Sequence, residues 1–136
     1  MAENIAKIYN LHGIDDGFGN GITQDYCSFV WLATPNGGKQ RIDIFVFGWK
    51  IAIEYDGQGH FYPVKFGGMS DEKAENVFQK TKARDPVKNA KIAAHKEDVQ
   101  YFIRFSYLDD IYDINAVRQK LIDNGIPVPP MENQND

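Results

Sequence analysis

From Arg41 to His60 the chain reads RIDIFVFGWKIAIEYDGQGH, two runs of β-branched and aromatic residues on either side of Gly48-Trp49. That pattern predicts a β-hairpin. Alternation places Ile42, Ile44, Val46, Ile51, Ile53 and Tyr55 on one face, expected to form the core, and Asp43, Glu54 and Asp56 on the other. With Gly48-Trp49 as a two-residue loop, position 43 lies opposite 54; with Trp49-Lys50, it lies opposite 56. Carboxylates facing one another across a ladder have Cβ atoms roughly 5 Å apart, and such a pair is destabilising unless a cation sits between them. The simplest such cation is a divalent metal.

The remaining pattern frames this hairpin. Ile5, Ile8, Tyr9 and Leu11 predict a short amphipathic helix from Glu3 to Leu11, ending near Gly13. IDDGFGNGI lacks the alternating oxygen ligands and closing Glu of a calcium loop and is read as a connection. Strands are predicted at Asp25 to Ala33, Arg41 to Phe47 and Lys50 to Asp56. After the FYPVKFGG loop, one helix is expected from Ser70 to about Ala83. Asp85-Pro86 has the form of an N-cap and first helical position, opening another helix to about Glu97. Gln100 to Tyr107 reads as a fourth strand, and Asp113 caps a last helix, NAVRQKLIDN, closed by Gly125. The expected fold is mixed α/β, a mixed sheet flanked by helices, in one domain over 1–126 with a polar, proline-containing tail over 127–136 whose end is disordered. No internal repeat is visible.

Composition adds bounds. At 136 residues the chain can build a core without staples. Cys27 is the single cysteine, so no intrachain disulfide forms and a reducing compartment fits; its neighbours mark it as a small buried hydrophobe on a strand. The start of the chain has no apolar signal core and no run approaches a membrane span, which predicts a cytoplasmic protein with no membrane partner. A formal net charge of −4 counts against a nucleic-acid partner, but from Lys65 to Lys96 basic residues outnumber acidic ones eight to four. Lys65, Lys80, Lys82 and Lys88 are the expected phosphate-backbone contacts on that face.

His60 follows the carboxylate strand in DGQGHF, where two glycines permit a tight turn that folds the imidazole back over Asp43 and Glu54. Because Mg²⁺ prefers oxygen ligands and keeps several waters, His60 is better placed as a proton acceptor than as a ligand. His12 and His95 are read as generic histidines. Asp85 is read as either a helix N-cap or a catalytic residue. Arg104 either pairs with a core carboxylate or contacts nucleic acid, and Lys88 is read first as a surface or phosphate-facing lysine.

RIDIFV around Asp43, IAIEYDGQGHF from Ile51 to Phe61, PVKFGG from Pro63 to Gly68, RDPVKNA around Asp85 and Lys88, and YFIRFSYLDD around Arg104 occur in an order and spacing that resemble the PD-(D/E)xK nuclease superfamily. The likeness is closest to the branch of very-short-patch repair endonucleases and phage-encoded endonucleases with a Glu, Asp, His, Asp set. The resemblance implies a restriction-endonuclease-like α-β-β-β-α-β core with a C-terminal helix, and Mg²⁺-dependent hydrolysis of DNA phosphodiesters, with Mn²⁺ substituting. It implies Asp43 as principal metal ligand, with Glu54, Asp56 or a backbone carbonyl completing the set, and His60 orienting or deprotonating the attacking water. Glu3 matches the leading glutamate of the branch. The usual lysine two residues after the third-strand acid is replaced by Asp56, so either His60 or Lys88 activates water, or the site is inactive. DNA is the expected partner, and a homodimer is compatible with the reading. The rivals are a non-catalytic nuclease-fold module for nucleic-acid binding or assembly, and a metal-dependent hydrolase of another phosphate ester.

Overall fold

The computed structural model describes residues 1–11 and 21–131. The connection after Leu11, with His12 and Gly13, and the end of the polar tail lie outside them. The elements are α1 (Ala2–Ile8), β1 (Ile22–Tyr26), β2 (Ile42–Val46), β3 (Ile51–Asp56), a 3-10 turn (Gln58–His60), α2 (Asp71–Ala93), β4 (Tyr101–Ser106) and α3 (Ile114–Asp123). The fold is mixed α/β, as expected. Its sheet has the order β1-β2-β3-β4, with the first two pairings antiparallel and β3 parallel to β4.

Both faces of the sheet are covered. Ile44, Val46, Ile51, Ile53, Ile103 and Phe105 bury against Ile5 and Ile8 of α1 and Val117 and Leu121 of α3. On the opposite face Phe45 and Ala52 bury with Leu32, Val99 and Ile92 of α2. The carboxylate face is therefore a core face as well, correcting the expectation of a single apolar side. Two assignments also change: Ile42 joins the α2-side cluster, and Tyr55 is exposed.

The first strand is shorter and earlier than expected. It ends at Tyr26, just after Asp25 takes a left-handed conformation, φ 51°. The aromatic run read as strand is instead an irregular segment whose rings gather on the sheet: Tyr26 and Phe29 lie 5.4 and 5.3 Å from Phe45. Cys27 sits outside any strand and is only half-buried.

Helix ends follow local chemistry. α1 stops at Ile8 because Asn10 turns left-handed, φ 58°, and lets Leu11 N–H reach the Ala6 carbonyl at 2.8 Å, a Schellman closure. Gly125, φ 75°, closes α3 the same way as expected, with Ile126 N–H on the Leu121 carbonyl at 3.0 Å. Asp113 caps α3, accepting from Asn115 N–H at 2.9 Å and Ala116 N–H at 3.4 Å. Asp113→Ala is expected to cost about 1 kcal/mol of stability, read as a lower denaturant midpoint at unchanged m-value. The tail begins packed: Val128 contacts the core and Tyr9 Oη–H donates to the Pro127 carbonyl at 2.9 Å.

The largest departure is α2. The two helices expected on either side of Asp85 are one, running through Pro86, so Asp85 is not an N-cap. Ser70 caps it, accepting from Lys73 N–H at 3.2 Å. Ala74, Phe78, Thr81, Asp85, Lys88 and Ile92 form a stripe at three- and four-residue spacing, partly or fully buried along its length. That stripe offsets the hydrogen bond lost at proline. Among the described residues no helix is long and apolar enough to cross a membrane.

Candidate active site in a cleft between the hairpin and the long helix

The hairpin register places Asp43 opposite Glu54, continuing the pairs Val46–Ile51, Phe45–Ala52 and Ile44–Ile53. At that point side chains replace the backbone ladder. Asp43 N–H donates to Glu54 Oε2 at 3.3 Å, and Tyr55 N–H donates to Asp43 Oδ2 at 2.8 Å. Opening the ladder re-aims the end of β2, which carries Ile42 to the α2 side. The result is a cleft of about 370 Å³ lined by Asp43, Glu54, Asp56, His60, Asp85, Lys88 and Arg104, with Lys39, Arg41 and Arg84 also in its wall.

One side of the cleft holds a carboxyl pair. Glu54 is only 4 % exposed. Burial, and then its hydrogen bond with Asp43, push its carboxyl up to about 7, against the downward pull of the Lys88 ammonium. Lys88 Nζ reaches in from α2 to Glu54 Oε1 and donates to the Arg41 carbonyl. Lys88 is therefore a residue of the cleft, not of an outer basic face.

The other side is a chain of charged hydrogen bonds. Asp56, 7 % exposed, accepts from Arg104 Nη1 at 2.8 Å. Arg104 Nε and Nη2 donate to Asn89 Oδ1 at 3.0 and 2.7 Å. The His60 Nδ1 lies 2.7 Å from Asp85 Oδ2 and 3.6 Å from Asp56 Oδ1. A ligand atom from each of Asp56, His60 and Asp85 lies within 4.8 Å of the others. The imidazole thus turns toward Asp56 and Asp85, not back over Asp43 and Glu54. The glycines around it are not in left-handed conformations, and a Cβ at Gly57 or Gly59 would meet nothing within 4 Å.

The other expected site residues are placed differently. Glu3 is exposed in the first turn of α1 and is not among the residues lining the cleft. Lys65 pairs with Asp71 at 2.5 Å. Lys80 and Lys82 are exposed, but two residues along a helix turn through about 200°, so they leave opposite flanks of α2 and do not share a face. Lys82 instead lies over the Phe78 ring, 6.0 Å from its centroid. Arg104 is spent on Asp56 and Asn89, matching the core-carboxylate reading better than the nucleic-acid one. Of the further cations in the cleft wall, Arg41 adjoins the strand of Asp43 and Arg84 belongs to the basic run from Lys65 to Lys96, whereas Lys39 is one that sequence reasoning missed. Reading 70–97 as one helix would have found Asp85, Lys88 and Asn89 together, since they are spaced by three and four residues.

The residues fit a hard divalent ion. Asp43 and Glu54 offer carboxylate oxygens on adjacent strands, the kind of donor a hard ion prefers. Asp56 is paired with Arg104 as Glu54 is with Lys88, and with His60 and Asp85 it brings a second set of ligand atoms together on the other side of the cleft. No family model, curated protein or solved structure matches the chain.

Proposed function

We propose that this protein is a metal-dependent endonuclease that hydrolyses DNA phosphodiester bonds on a restriction-endonuclease-like core of the PD-(D/E)xK type. The observation that carries the reading is the placement of Lys88 Nζ on Glu54, across from Asp43. It sets an ammonium beside the carboxylate pair, although position 56 is an aspartate. Asp43 and Glu54 would hold Mg²⁺, which when bound polarises a phosphoryl oxygen and acidifies a coordinated water.

The chain's own residues then divide the work. Asp85 accepts a hydrogen bond from His60 Nδ1–H, which fixes the tautomer and leaves Nε2 as the basic nitrogen for a water proton. Lys88, held by Glu54 and the Arg41 carbonyl, adds positive charge where the phosphate must sit. Arg104, itself held by Asn89, donates to Asp56 and so fixes the wall against which His60 rests.

Nicking or linearisation of supercoiled plasmid in Mg²⁺, absent in chelator, tests the reading; an intact plasmid across Mg²⁺ and Mn²⁺ favours the non-catalytic module. His60→Ala is expected to lose on the order of a hundredfold or more in cleavage rate, the scale of a general base, with added imidazole restoring part of it. A variant as fast as wild type would leave His60 a loop residue and move water activation to Lys88.

A further inference from the structure

The segment after His60 exposes three aromatic side chains in six residues, and neither the core nor the chemistry above uses them. Phe61 is 48 %, Tyr62 41 % and Phe66 64 % exposed. Tyr107 props the first two from beneath, its ring centroid 5.5 Å from Phe61 and 6.2 Å from Tyr62. The platform is continuous with the cleft: Phe61 directly follows His60, and Tyr107 N–H donates to the Asp56 carbonyl at 3.1 Å. Phe66 heads a turn in which Gly67 is left-handed, φ 61°, and Met69 N–H returns to the Phe66 carbonyl at 3.3 Å. Exposing three rings this way costs apolar burial and contributes nothing to either core.

We infer that Phe61, Tyr62 and Phe66 form a stacking ledge for unpaired bases of the strand whose phosphate lies in the cleft, so that the substrate is presented single-stranded. This rests on the reading of the cleft as a phosphodiester site and adds the form of nucleic acid it takes. A base offers its face to a ring only when it has left its own stack, and base–aromatic stacking is the usual sequence-tolerant grip on single strands. The cations agree. Lys39, Arg41 and Arg84 line one cleft, enough to follow one backbone. A second strand finds no matching track in the residues expected to supply it, since Lys80 and Lys82 diverge and the net charge is −4.

The test is fluorescence anisotropy of a labelled oligodeoxynucleotide, single-stranded or annealed to its complement, with Ca²⁺ in place of Mg²⁺. Wild type is expected to bind the single strand more tightly. Phe66→Ala, whose ring has no aromatic partner among the described residues, is expected to weaken single-strand binding roughly tenfold without changing its salt dependence. Phe61→Ala should act likewise and Tyr62→Phe should not, with melting curves confirming that each variant folds. Arg84→Ala should instead flatten the salt dependence. Equal or tighter duplex binding, or unchanged affinity in both alanine variants, overturns the ledge and leaves the cleft reading standing where Arg84→Ala still acts. Binding of neither form by wild type overturns the cleft reading and this inference with it.

Discussion

Asp43→Asn is expected to abolish Mg²⁺-dependent cleavage, on the order of a thousandfold or more, while the fold survives. The substitution keeps the shape of the side chain, and its amide oxygen can still accept Tyr55 N–H, the bond that Asp43 Oδ2 makes at 2.8 Å. Only the charge is lost. Because that charge faces the buried Glu54, its removal relieves repulsion where Glu54 is ionised, so above about pH 7 the Asn variant is expected to melt no lower than wild type in metal-free buffer. Asp43→Ala is less informative, since it leaves Tyr55 N–H without this acceptor. Single-turnover cleavage at saturating DNA, beside a melting curve, separates the two effects. Cleavage by the Asn variant at the wild-type rate would remove Asp43 from the site.

Without metal, the chain is expected to lose stability as pH rises through the window set by Glu54. Its carboxyl is raised from an ordinary 4.5 to about 7, first by burial and then by the Asp43 hydrogen bond. Between those values the folded state keeps a proton that the unfolded chain has released, so folding grows less favourable with rising pH. The contribution is complete below about pH 4.5 and gone above about 7, and at 1.36 kcal/mol per pH unit it amounts to about 3 kcal/mol. Urea unfolding of wild type and Glu54→Gln across this range tests it, because other carboxylates titrate in both proteins and cancel in the difference. A difference that is flat with pH refutes the buried carboxyl. Mg²⁺ added above pH 7 is expected to restore the lost stability, since an ion held by ionised Glu54 favours the folded state by mass action.

These effects rest on positions whose arrangement was partly legible in the chain. Alternation placed 43, 54 and 56 on one face, and the Gly48-Trp49 turn selected the register that sets Asp43 opposite Glu54. What alternation could not carry was the opening of the ladder there: the side chains of Asp43 and Glu54 take backbone N–H groups that a strand neighbour would otherwise take, and Ile42 turns with them. Pro86 misled for a local reason. Its penalty in a helix interior, about 3 kcal/mol, is real, but the stripe from Ala74 to Ile92 spans the whole of α2 and is settled by tertiary burial. A count of basic residues along the sequence ignores rotation about the helix, which sends Lys80 and Lys82 to opposite flanks of α2. Asp85 and His60 meet across 25 residues, and no short-range pattern encodes that.

The continuity of α2 also sets where this chain tolerates change in length. Asp85, Lys88 and Asn89 hold His60, Glu54 and Arg104 from a single helix that Ile92 anchors in the core. One residue inserted between Asp85 and Ile92 would turn the two parts of the helix against each other by about 100° and shift them by about 1.5 Å. Either the anchor or the site would then leave its place. A residue added to the 61–69 loop before the helix rotates nothing within it. Divergence in this protein should therefore accumulate as loop-length variation ahead of Ser70, while the spacing from Asp85 to Ile92 stays fixed even as the residues between them change.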